Sequence, residues 1–178
     1  MKILPSDTYL GETSKAVLHE AVGNALNEWE LVESTLAVIF GLLVESRSGG
    51  ALRAYGTILN QKTRKEALET AAIEFFREKP DPMMADFYAL FNAYGDTIKY
   101  RNNIAHGICY GQVSVGRTPT TWFLYPPQYN TNKRSGPNNR DSKYIYKAAD
   151  ILHCKDRFSQ LAAEAIALET YLRETYPL

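Results

Sequence analysis

Cysteine is scarce: Cys109 and Cys154 are the only two in 178 residues. That excludes a disulfide scaffold and points to a reducing compartment. Net charge is absent as well, because 20 basic side chains are matched by 20 acidic ones. Bulk charge therefore does not mark a basic nucleic-acid binder. Long hydrophobic runs are missing. The longest, Leu36 to Val44, has nine residues, where a membrane span needs about 20. Met1-Lys2-Ile3-Leu4-Pro5 opens no apolar stretch of signal-peptide length. Together these features predict a cytoplasmic protein without membrane attachment. No repeat is visible, and the length and 45% hydrophobic content suit one globular domain over residues 1–178.

The charge is unevenly distributed. Residues 101–157 hold nine basic and three acidic side chains, net +6, while the stretches on either side are net acidic. Such asymmetry permits an anionic partner on one face. Lys133, Arg134, Arg140 and Lys143 are the candidate contacts to that partner.

The apolar pattern is mainly helical. With Trp29 at zero on a wheel of about 100° per residue, Leu18, Val22, Leu36, Phe40 and Leu43 fall within about 40° of it. This predicts one long amphipathic helix over about 14–46, ended by Ser48-Gly49-Gly50. Shorter helices are expected at 51–59 and 63–78, the latter stopped by Pro80-Asp81-Pro82. A second long helix covers 83–105, with Phe87, Phe91, Tyr94 and Ile98 on one face and Gly107 after its end. Residues 108–115 and 121–125 read as a hairpin, and Tyr144-Ile145-Tyr146 as a possible third strand. Between them, 126–142 is rich in Pro and Asn and reads as a long mobile loop. A last helix is expected over about 155–175 on the stripe Leu161, Ala165, Leu168 and Leu172. The fold class is thus mainly α, a helical bundle with a small β insertion at about 108–147 before its last helix.

Two charges break these stripes. Arg101 falls near −40° on the face of Phe91, Tyr94 and Ile98, and Glu33 near +40° beside Trp29 and Leu36. A buried charge needs a partner, so Glu33 and Arg101 are expected to meet. Taken alone, such a pair fixes helix register and does no chemistry. His106 follows at the end of the same helix, and a histidine there is suited to proton transfer near neutral pH. His19 sits at the edge of its stripe. His153 and Cys154 lack a second Cys/His pair at zinc spacing, so no metal and no cofactor is expected. Phosphate-loop, dinucleotide and hydrolase motifs are all missing. The tyrosines and Trp122 of the insertion suit either base stacking or the core of a hairpin.

Arg101-Asn102-Asn103-Ile104-Ala105-His106 resembles the R-x4-6-H motif of HEPN domains, with the polar residue that often follows the Arg. The long first helix with Trp29-x-x-x-Glu33 and the closing helix extend the resemblance over most of the chain. The hairpin and the loop are not part of the family pattern. The resemblance implies an antiparallel helical bundle that forms a homodimer. It also implies a metal-independent endoribonuclease, in toxin–antitoxin or phage-defence settings, with an antitoxin or other protein as a further partner. RNA would be cut by 2′-OH transesterification. Arg101 would bind the phosphate, Asn102 would orient the phosphate or His106, and His106 would act as base or acid. Glu33 would support Arg101. Many such domains bind RNA, a nucleotide or a protein without cutting, so a non-catalytic binding dimer is the alternative. A helical interaction protein with purely structural Arg101 and Glu33 is a third reading.

Overall fold

The computed structural model describes residues 11–112, 121–127 and 144–177. Among these are five helices, α1 (Lys15–Leu43), α2 (Gly50–Gly56), α3 (Gln61–Glu78), α4 (Met84–Ala105) and α5 (Ala148–Thr175). Strands β1 (Ile108–Gln112) and β2 (Thr121–Tyr125) form a small antiparallel sheet before α5. The architecture is therefore mainly α with a β insertion before the last helix. Residues 128–142, expected to be a mobile loop, and 113–115 of the expected first strand lie outside the described residues. The chain divides into two compact units, Met1–Asn27 with Lys99–Asp156 and Glu28–Ile98 with Arg157–Leu178. Helices α1, α4 and α5 each contribute one stretch to each unit.

The unit built on Glu28–Ile98 is all helical. Its core includes Trp29, Leu36, Leu68, Phe87, Phe91, Tyr94 and Phe158, all buried. Trp29 stacks on Tyr94 with ring centroids 5.3 Å apart and meets Phe158 edge-on at 5.1 Å. Helix α1 ends at Leu43, ahead of the Ser-Gly-Gly cluster. Glu45 takes a left-handed conformation at φ 52°, Ser46 N–H donates to the Gly41 carbonyl, and Glu45 N–H donates to that of Leu42. This is the double-bonded helix end usually reserved for glycine, and Lys79 pairs with the Glu45 carboxylate there. Asn60 starts α3 two residues earlier than expected by accepting from Lys62 and Thr63 N–H at 2.9 and 3.4 Å. The hydroxyls of Tyr171 and Tyr176 both donate to Asp81 Oδ2 at 2.6 Å. Those bonds hold the Asp81 carboxyl below its ordinary range, and the carboxylate pushes the Tyr176 phenol up to about 12.

The other unit centres on β2. Ile108 pairs with Tyr125 and Gln112 with Thr121 across the β1–β2 ladder. Two isolated bridges also meet β2, Glu12 to Trp122 and Tyr146 to Leu124. Tyr146 thus pairs as expected of the third segment, but as a single bridge. Phe123, Leu124 and Tyr125 are buried with Leu18, Ile104, Tyr144 and Ile151 in the core of this unit. Helix α5 starts seven residues before the expected position. Its first N–H groups are taken by carboxylates: Asp150 accepts from Lys147 at 2.9 Å and Glu12 from Ala148 at 3.1 Å.

Gly107, placed by the sequence at the end of α4, is required for room. A Cβ there would lie 2.5 Å from Leu124 Cγ and 2.8 Å from the Asn103 carbonyl oxygen. Gly107→Ala should lower the urea midpoint, by about 1–3 kcal/mol of stability. An unchanged midpoint would show that β2 is free to move away from α4.

Candidate functional site

The motif occupies the last turn of α4. Arg101 and Asn102 are half-buried and His106 is exposed. Arg101 Nη1 donates to Asn102 Oδ1 at 3.2 Å, and His106 N–H donates to the Asn102 carbonyl at 3.0 Å. Arg101 Nε is buried and meets no hydrogen-bond partner among the described residues. Among the described residues no carboxylate pairs with Arg101. The turn therefore carries a guanidinium with donors to offer, one amide that orients it, and an imidazole open to solvent. A planar cation in that state is chemically suited to a phosphate or another anion.

Glu33 has a different partner from the one expected. Its carboxylate, 8% exposed, accepts from Trp29 Nε1 at 3.1 Å, Tyr94 Oη at 2.9 Å and Arg64 Nη1 at 2.5 Å. Arg64, at the start of α3, takes the place proposed for Arg101. Its Nε also donates to the Ile58 carbonyl at 2.7 Å, and its guanidinium lies 5.5 Å from the Tyr55 ring centre. Wheel positions on α1 and α4 identify two charges that need partners, but they do not identify which residues of other helices reach them. Arg64 belongs to a polar first turn and broke no stripe, so no local signal marked it. Burial, then the Glu33 carboxylate, push the Tyr94 and Tyr55 phenols well above their ordinary range. Burial opposes the charge on Arg64, yet the charge of Glu33 and its hydrogen bond raise that residue's pKa. Through these bonds Glu33 supports the packing of α1, α3 and α4.

Asn103 was passed over in the sequence. On the α4 wheel it lies near +160°, opposite the apolar stripe, and reads as solvated. Instead its Nδ2 donates to Tyr146 Oη at 3.0 Å, and its carbonyl accepts from Tyr144 Oη at 2.9 Å. Tyr144 and Tyr146 are buried and stacked, with centroids 4.9 Å apart. Burial raises the pKa of Tyr146, against the Asn103 hydrogen bond. With Phe123 and Tyr125 also buried, these rings form core and offer no face to a base. Tyr110 is exposed, and Trp122 is half-buried with Lys15 Nζ 5.8 Å from its ring centre. Lys133, Arg134, Arg140 and Lys143 lie outside the described residues. Among the described residues no group of three or more His, Cys, Asp or Glu is placed to hold a metal, and no helix is long and apolar enough to cross a membrane. Comparison with family models, curated proteins and solved structures finds no match to this chain.

Arg64→Met would leave Glu33 buried without its cation, and should cost about 3–5 kcal/mol. Arg101→Met should cost clearly less in the same urea titration. The reverse order would return Glu33 to Arg101.

Proposed function

We propose that this chain is a HEPN-like, metal-independent endoribonuclease that works as a cytoplasmic homodimer, as a toxin or phage-defence effector. The observation that carries the reading is Arg101: half-buried, bonded to Asn102, and without a carboxylate partner among the described residues. A guanidinium that merely fixed helix packing would be neutralised by a buried acid, as Arg64 is by Glu33. Exposed His106 follows five residues later.

In this reading Arg101 holds the phosphoryl oxygens where charge develops. The RNA 2′-oxygen attacks the adjacent phosphorus and the 5′-oxygen leaves, giving a 2′,3′-cyclic phosphate. One proton must leave the 2′-oxygen and one must reach the leaving oxygen. A two-fold dimer supplies His106 from each copy for these two transfers. Lys133, Arg134, Arg140 and Lys143 add backbone contacts to RNA. Dimerisation is supported by the run Leu36–Val44. Beside it lies a hollow of about 560 Å³ lined by apolar Phe40, Leu43, Val44 and Ala71 and by the acids Glu66 and Glu74, and Val44 is 43% exposed. A second copy, or an antitoxin, would cover such a surface.

His106→Ala should abolish cleavage of single-stranded RNA while circular dichroism shows unchanged helicity. Wild-type cleavage should persist in EDTA and leave a cyclic phosphate. Full activity of His106→Ala would exclude this histidine as acid or base. Binding of RNA by a wild type that does not cut would favour the binding dimer. Analytical ultracentrifugation should give a species near twice the 20.1 kDa chain mass. A monomer at micromolar concentration would remove the two-histidine mechanism.

A further inference from the structure

We propose that Asn103, Tyr144 and Tyr146 are positioning residues for the turn carrying Arg101 and His106, and that the β insertion sets the geometry of the site through them. This rests on the functional reading above and names a device within the same site. The carbonyls of a last helical turn lack partners in their own helix. In a continuing helix the Asn103 carbonyl would accept from Gly107 N–H, but that group donates to Ile104 at 3.4 Å. The Tyr144 hydroxyl takes the Asn103 carbonyl instead, at 2.9 Å. Tyr146 accepts from the Asn103 side chain at 3.0 Å. One residue of the turn is thus held at both its backbone and its amide by two phenols from the end of the insertion.

Those phenols are themselves fixed. Their rings stack at an interplanar angle of 21°. Tyr146 N–H donates to the Leu124 carbonyl at 3.0 Å, and Leu124 N–H donates back at 2.9 Å. A continuous set of bonds therefore runs from β2 through Tyr146 to Asn103. Asn103 directly follows Asn102, which orients Arg101 through its side chain and accepts His106 N–H at its carbonyl. A shift of residue 103 displaces both functional groups. Packing alone would be satisfied by phenylalanine at both ring positions. Most buried hydroxyls find partners, and here both meet the same residue of the motif.

The test is the double variant Tyr144→Phe/Tyr146→Phe, which keeps the stacked rings and removes only the two oxygens. Two readouts are taken below the melting temperature: RNA cleavage, and the imidazole proton resonances of the three histidines, with His106 assigned through His106→Ala. The expected result is a fall in kcat of about tenfold or more with KM changed less than about twofold, since a misplacement of about 1 Å can cost about 100-fold. The His106 resonance should move while those of His19 and His153 stay in place. Asn103→Ala, made separately, should give the same two changes and add little when combined with Tyr146→Phe. Unchanged kcat and an unmoved His106 resonance would overturn the proposal, even if the melting temperature falls. If the wild type does not cleave RNA, the functional reading fails by itself, and the His106 resonance still decides whether the clamp positions the turn.

Discussion

A carboxylate removed from water must be met by donors, or it will not stay charged. Glu33 meets that demand with three of them, drawn from its own helix, from α4 and from α3. Each donor has further ties. Trp29 and Tyr94 stack on each other, and Phe158 of α5 packs on the indole edge. Arg64 closes the α2–α3 turn through the carbonyls of Ile58 and Gly56. An apolar contact tolerates sliding by a fraction of a turn, whereas three directional bonds to one carboxylate do not. The helical register of this unit therefore follows from one acid, with the hydrophobic surface supplying the bulk of the free energy.

What could be read in advance was what repeats along a helix. The α1 and α4 stripes, the β pairing of 108–112 with 121–125 and the anomalous positions of Glu33 and Arg101 all follow from period and residue type. Partner identity did not. Arg64 stands on a polar turn, and Asn103 on the face of α4 expected to be wet, so neither breaks a pattern. Boundaries failed where the stop or start signal is carried by an unusual residue. Glu45 ends α1 in a conformation that favours glycine. Glu12, far away in sequence, caps α5 at Ala148. The first depends on a backbone conformation that residue type does not announce, and the second on a bond invisible to a reading confined to neighbouring residues.

Arg64 and Arg101 differ in their partners. Arg64 is consumed by an acid and by carbonyls, and contributes to packing. Among the described residues Arg101 bonds to the amide beside it, and its buried Nε meets no partner. Natural cores rarely leave such a group unsatisfied, and a bound anion is one way to complete it. The same contrast separates the tyrosines. Tyr94 serves the carboxylate that organises one unit, whereas Tyr144 and Tyr146 serve a residue of the candidate site itself.

The link between Glu12 and Ala148 also bears on the order in which the chain acquires structure. A cap contributed by a residue 136 positions away cannot act while the chain is extended, because closing so large a loop is an entropic cost that precedes any gain. The local bond from Lys147 N–H to Asp150 carries no such cost, so the Glu12 cap adds to it only once the segment at Glu12 has docked on Trp122.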